Sequence, residues 1–140
     1  MSKVMKTGLV LFLAVLLPVT AFAQKKSDKD IFIFGYGINM KDSTAFLTPV
    51  QLVPGASVEK KTKYLKNRSV YSMQLQSFLT TQYKEPYTVC AVFFSENKES
   101  LGKKRNKVRK EQQKNSLIKI REIPEGIFEF KAPQTNEDSE

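Results

Sequence analysis

Residues 87–94, with the sequence YTVCAVFF, form an eight-residue run that has apolar side chains at both odd and even positions. Successive side chains of a strand point to opposite faces of the sheet, so this run predicts a central strand that is buried on both faces. Cys90 is the only cysteine and lies inside the run. We therefore expect it to be a small core residue, with a disulfide between two chains as the alternative.

The segment before this strand predicts a helix that begins near Val70, is capped by Asn67 or Ser69, and ends before Pro86. The evidence for this helix is one stripe of mostly apolar residues at helical spacing, and such a stripe is typical of core packing. The members of the stripe are Tyr71, Leu75, Phe78, Leu79 and Gln82.

The segment after the strand, residues 96–115, is polar and rich in helix-forming residues. It predicts a second helix, capped by Ser95, although Gly102 lowers its helix propensity. Leu101 and Val108 are its only clear apolar anchors and stand seven residues apart. Two anchors allow only a thin contact with the body of the protein.

Four further segments are typical of strands: residues 31–34 (IFIF), 44–53, 117–123 and 127–130. The second is expected to pair antiparallel with the first and to be bent or at an edge at Pro49, which lacks a backbone N–H. The order β-β-α-β-α-β-β indicates an α+β fold. We expect a two-layer sandwich, a mixed sheet of four or five strands with two helices on one face.

The N-terminus has the three parts of a cleavable secretory signal. Lys3 and Lys6 precede an apolar run over residues 8–17, and Ala21 and Ala23 form a small-residue cleavage site before Gln24. We expect residues 1–23 to be removed, residues 24–131 to form one domain, and residues 132–140 to be a disordered acidic tail. The product would be exported to the periplasm or secreted, without a transmembrane anchor. The signal holds two lysines and no acid, so cleavage would lower the net charge from +9 to +7.

The composition argues against several kinds of chemistry. The chain has no histidine, so it lacks an imidazole base, a histidine metal ligand and any Ser-His or Cys-His pair. A single cysteine supports neither an internal disulfide nor a cysteine-rich zinc site. No pair of carboxylates stands at an obvious strand end. We therefore expect a protein that is not an enzyme and that uses no cofactor or metal.

The strongest candidate for a binding surface is the second helix, in which eight cations stand against three acids between residues 96 and 115. A cationic helix predicts contact with an acidic protein surface or another anionic envelope component. Nucleic acid is disfavoured by export and because no aromatic residues alternate with these cations. The candidate partner-binding residues are Lys103, Lys104, Arg105, Lys107, Arg109 and Lys110.

Two alternatives remain open from the sequence. An exposed strand edge at residues 44–53 could pair with a neighbouring subunit in a larger envelope assembly. A small-molecule site or an active site could instead lie near Gly35 and Gly37, with Tyr36, Asn39 and Asp42 as its polar groups. The chain lacks the third glycine of a dinucleotide-binding turn, which argues against a phosphate site there.

Overall fold

A computed structural model describes residues 29–134 of the chain. The expected signal (residues 1–23) and residues 135–140 of the expected tail lie outside the described residues. The elements follow the order β1 (Phe32–Asn39), β2 (Thr44–Leu47), β3 (Gln51–Leu52), α1 (Arg68–Gln82), β4 (Thr88–Ser95), α2 (Lys98–Gln113) and β5 (Lys119–Glu122). In this part of the chain, no helix has the length and apolar character needed to span a membrane.

β1 is the organising strand of a mixed five-stranded sheet. It pairs antiparallel with β4 along one edge and with β2 and β3 along the other. β5 then adds to the outer edge of β2 in parallel. The expected α+β class, with a mixed sheet and two interleaved helices, is confirmed.

The two helices lie on opposite faces of this sheet, so the expectation of both on one face is wrong. Tyr71, Leu75 and Leu79 of α1 pack in one core cluster with Ile33 and Val92. The other cluster joins Leu101 and Val108 of α2 to the next residue along each strand, Phe34 and Phe93. Because adjacent strand residues point to opposite faces, the molecule has three layers, α1, sheet and α2.

The expected positions of the strands within the sheet also need correction. β4 is an edge strand and not a central one, because among the described residues only β1 pairs with it. Conversely, β2 is paired on both sides, so the first part of the expected free edge at residues 44–53 is covered by β5. Apolar residues on both faces of a strand indicate that its side chains are covered, but they do not indicate whether its edges are paired.

The expected last strand, residues 127–130, is not a strand, yet Phe128 and Phe130 are buried in the α1 cluster. Side-chain amides take the place of a neighbouring strand. Gln51 donates to the Phe128 carbonyl (3.0 Å) and accepts from the Phe130 N–H (2.9 Å). Gln74 of α1 makes the same double contact with the backbone of Lys131.

α1 begins at Arg68, two residues before the expected start, and one of its two expected caps, Asn67, stands at the N-cap position. Asn67 precedes α1 in a left-handed conformation (φ 59°) and its side chain makes no capping hydrogen bond. For α2 the cap is Asn97, not Ser95, and its side chain accepts a hydrogen bond from the Ser100 N–H at 3.0 Å. The apolar spacing located both helices, whereas the choice between neighbouring polar caps depends on local backbone geometry.

Candidate functional site

α2 carries all six candidate binding residues, and the structure divides them into three groups. Leu101 is buried and Val108 is half-buried, so the side of α2 that carries them faces the sheet. The remaining positions are distributed around the helix at about 100° per residue. This rotation gives each cation of the run its own environment.

Arg105 and Arg109 turn toward the sheet and hold the same carboxylate. A guanidinium nitrogen of Arg105 lies 3.0 Å from Glu122 Oε1, and one of Arg109 lies 3.5 Å from that oxygen. Only 16% of the Arg105 side chain is exposed. These two arginines therefore fasten α2 to β5 and are poorly placed to contact a partner.

Arg105 also stabilises the break between β2 and β3. The Gly35 N–H donates to the Thr48 hydroxyl (2.8 Å), which replaces the carbonyl that a regular ladder would use. The freed Thr48 carbonyl accepts a hydrogen bond from Arg105 Nε at 2.7 Å. The next residue, Pro49, has no N–H to donate. One cation thus connects α2, the strand break and β5.

The second group consists of lysines on the outer side of α2. Lys103, Lys107 and Lys110 are exposed and follow each other at intervals of four and three residues, and exposed Lys114 continues the row. Residues three and four apart are neighbours on a helix surface, so these side chains form one continuous lysine ridge. None of the four forms an ion pair with any acid in the range 29–134. The ridge is therefore a net positive surface, in which Glu111 lines the same groove as the lysines without an ion pair to them.

Lys104 lies apart from the ridge, beside the edge strand β4. Its ammonium nitrogen is 5.8 Å from the centre of the Phe93 ring. It lines a cleft of about 320 Å³ together with Arg68, the first residue of α1. The six predicted residues thus do not form one surface.

A second basic region was not identified from the sequence. Lys60, Lys61, Lys63 and Lys66 lie in and beside a short hairpin that is closed by the bridge between Val58 and Leu65. With Lys29 they line an open groove of about 950 Å³. The sequence signal for this region is the density of lysines over residues 60–66, in a segment that has no clear secondary-structure pattern.

The region around Gly35 and Gly37 serves packing. A Cβ atom on Gly35 would lie 2.6 Å from Leu75 Cδ2, and one on Gly37 would lie 3.1 Å from Leu79 Cδ1. Both glycines therefore let α1 approach the sheet closely, and the side chains of α1 fill the space that a ligand would need.

The polar groups proposed for that alternative site are not brought together around a cavity. Asn39 is buried, donates to Glu85 and accepts from the Lys41 N–H (2.8 Å). Asp42 accepts from the Thr44 N–H at 2.9 Å. Tyr36 lies on the opposite face from the two glycines, and burial raises the pKa of its hydroxyl. Asn39 and Asp42 stabilise the turn between β1 and β2.

Cys90 is a free thiol that packs against the α1 cluster. Burial raises its pKa from 9.0 to about 11. A thiol of this kind is a poor nucleophile at neutral pH, because the thiolate is the reactive form. In residues 29–134, no three His, Cys, Asp or Glu side chains are grouped so that they could hold a metal ion.

No protein-family model, curated protein or solved structure matches this chain.

Proposed function

We propose that this chain is an exported binding protein without enzymatic activity, and that its lysine ridge contacts an acidic protein surface of the envelope. The observation that carries the proposal is the division of the α2 cations. Arg105 and Arg109 are neutralised by Glu122, while Lys103, Lys107 and Lys110 project outward without an acidic partner in the described chain. Export is supported by the signal pattern of residues 1–23.

An acidic protein surface suits the ridge better than insertion into a lipid bilayer. An embedded interfacial helix needs a broad apolar face at the membrane. In α2 the two apolar anchors, Leu101 and Val108, are already used against the sheet. The ridge therefore offers charge but little apolar area, and binding through it should weaken steeply as salt is added.

The test compares two triple charge reversals that change the net charge equally. One replaces Lys103, Lys107 and Lys110 by glutamate, and the control does the same to Lys60, Lys61 and Lys63 of the exposed hairpin. Tagged proteins are used to capture partners from the native envelope at low and high salt, and the partners are identified by mass spectrometry. We expect an acidic protein to be lost with the α2 variant and kept with the hairpin variant.

Equal capture by both variants would remove the ridge as the contact surface. Recovery of anionic lipid, without an acidic protein, would replace the proposed partner. Intact-mass analysis of the native product tests export separately, because we expect a chain that begins at Gln24. A product that retains Met1 would contradict export.

A further inference from the structure

The outer edge of β4 is a long strand edge whose own residues lack the usual protection. Its eight residues, TVCAVFFS, include no charged residue and no proline. Natural proteins commonly place lysines, prolines or bulges on such edges, because an open edge is a template for another strand. Within residues 29–134 no strand covers this edge.

The hydrogen-bond phase of the β1–β4 ladder identifies the free backbone groups. The Met40 N–H donates to the Tyr87 carbonyl at 3.1 Å, one step beyond the paired residues Asn39 and Thr88. Bonded pairs alternate along an antiparallel ladder, so the odd-numbered residues of β4 bond to β1. The even-numbered residues direct their N–H and C=O groups outward: Thr88, Cys90, Val92 and Phe94.

One outward carbonyl is already used, which confirms this phase. Arg68 donates to the Val92 carbonyl at 2.7 Å, and its guanidinium lies 5.8 Å from the Phe94 ring. Lys104 lies at the same distance from the Phe93 ring on the opposite face. The edge therefore has one cation on each face at its Ser95 end.

The other end of the strand exposes apolar side chains, with the Lys41 ammonium 4.1 Å from the centre of the Tyr87 ring. Val89 is 61% exposed and Tyr87 is 55% exposed. A strand added here would cover the Val89 side chain and continue the sheet by one strand. The edge thus combines free backbone groups and exposed apolar side chains, with two cations at its Ser95 end and Lys41 beside Tyr87 at the other.

We propose that the outer edge of β4 accepts an extended segment of a partner protein as a sixth strand, with two consecutive acidic residues beside Arg68 and Lys104. Neighbouring residues of a strand face opposite sides of the sheet, so one carboxylate would meet Arg68 and the next would meet Lys104. The backbone groups supply affinity and the two cations supply selectivity. This site is separate from the lysine ridge and does not rest on the function proposed for it.

Charge favours this occupant over a second copy of the chain. The chain carries a net charge of +9, or +7 without residues 1–23, so pairing of two β4 edges brings two positive surfaces together, whereas an acidic segment is attracted; the consecutive acids of this chain, Glu137 and Asp138, are not in β4. β4 itself has no acidic residue to place beside Arg68 or Lys104 of another copy.

The test uses the natively purified protein and synthetic eight-residue peptides of alternating valine and threonine. Two peptides carry a pair of glutamates at one end or the other, and two matched peptides carry lysines there. Amide exchange is followed by NMR. In the free protein we expect fast exchange at the outward amides, such as Cys90, and slow exchange at the odd-numbered ones, such as Ala91. With one of the acidic peptides, the outward amides should become protected.

Variants and a modified peptide identify the contacts. Lys104→Gln and Arg68→Gln should each weaken binding of the acidic peptide about tenfold, toward that of the lysine peptide. Lys61→Gln, in the exposed hairpin, should leave binding unchanged. Methylation of alternate peptide nitrogens should abolish protection, because it removes the donors that face β4.

Three results would overturn the proposal. The first is the absence of protection with either acidic peptide at millimolar concentration. The second is equal binding of the acidic and lysine peptides. The third is protection that grows with protein concentration alone, which would identify a second copy as the occupant.

Discussion

Replacing Arg105 by alanine is expected to destabilise the fold by about 2–4 kcal/mol, although Arg105 belongs to a run of surface cations. A hydrogen bond from a charged donor contributes about 1.5–3 kcal/mol, and here the acceptor is the otherwise free Thr48 carbonyl at 2.7 Å. The ion pair with half-exposed Glu122 adds only about 0.2–1 kcal/mol, because solvent screens it.

Lys107→Ala is the matched control, since it removes a cation from the same helix. Lys107 is exposed and makes no ion pair in the described chain, so its replacement should change stability by less than about 0.5 kcal/mol. The loss of stability for Arg105→Lys should lie between those of the two alanine variants. An ammonium keeps the charge, but it lacks the planar guanidinium that reaches the Thr48 carbonyl and Glu122 together.

Urea unfolding followed by circular dichroism measures the difference. With a slope of about 1–3 kcal/mol per molar urea, the midpoint of Arg105→Ala should fall by on the order of 1 M, with little change for Lys107→Ala. If both variants unfold within 0.1–0.2 M of the parent protein (about 0.5 kcal/mol or less), then Arg105 does not hold the strand break. Such a result would contradict the assignment of Arg105 to a structural role and of Lys107 to the free surface of α2.

Three other results are expected. Gly35→Ala should lower the free energy of unfolding in urea by about 1–3 kcal/mol, because the new methyl group would lie 2.6 Å from Leu75 Cδ2. Gly102→Ala, with open space around it, should instead stabilise α2 by about 0.5–1 kcal/mol. Equal effects of the two variants would contradict the close packing of α1. Burial raises the pKa of Cys90 from 9.0 to about 11, so at pH 8 the folded thiol should be alkylated about 100-fold more slowly than the unfolded one. The free energy of unfolding should fall as pH rises from about 9 to 11, because in that range the Cys90 thiol is ionised only in the unfolded state. Equal alkylation rates would show that the thiol is accessible. Gln51→Leu should expose residues 127–131 to limited proteolysis and lower the free energy of unfolding by about 1–3 kcal/mol, because the Phe128 carbonyl and the Phe130 N–H lose their partner. An unchanged digestion pattern would show that the segment is held by its aromatic side chains alone.

The sequence located the elements whose signal is local. Tyr71, Leu75 and Leu79 recur at helical spacing, and all three are buried on α1. The seven-residue spacing of Leu101 and Val108 likewise identified the anchors of α2. Such periodicity depends only on the rotation per residue within one element, so it can be recognised before the tertiary fold is known.

The candidate site was predicted less well, because the direction of a charged side chain depends on distant residues. The run from Lys103 to Lys110 is uniformly cationic in sequence. Helical spacing places position 105 on the side of Leu101 and Val108, but its partners, Glu122 and the Thr48 carbonyl, are far away in sequence. The spacing from Leu101 separates the side that carries Arg105 from the side that carries Lys107, but it does not show that a carboxylate and a free carbonyl lie beside Arg105.

The amino-acid sequence by itself determined both helices and most of the strand segments, the excess of positive charge and the lack of histidine chemistry. Only the tertiary structure decided that the helices lie on opposite faces, that β4 is an edge, and which cations are neutralised. The physical reason is that hydrophobic periodicity indicates which sides of an element are covered. Strand pairing and ion pairing instead join residues far apart in the chain, so they are settled only when the whole sheet is assembled.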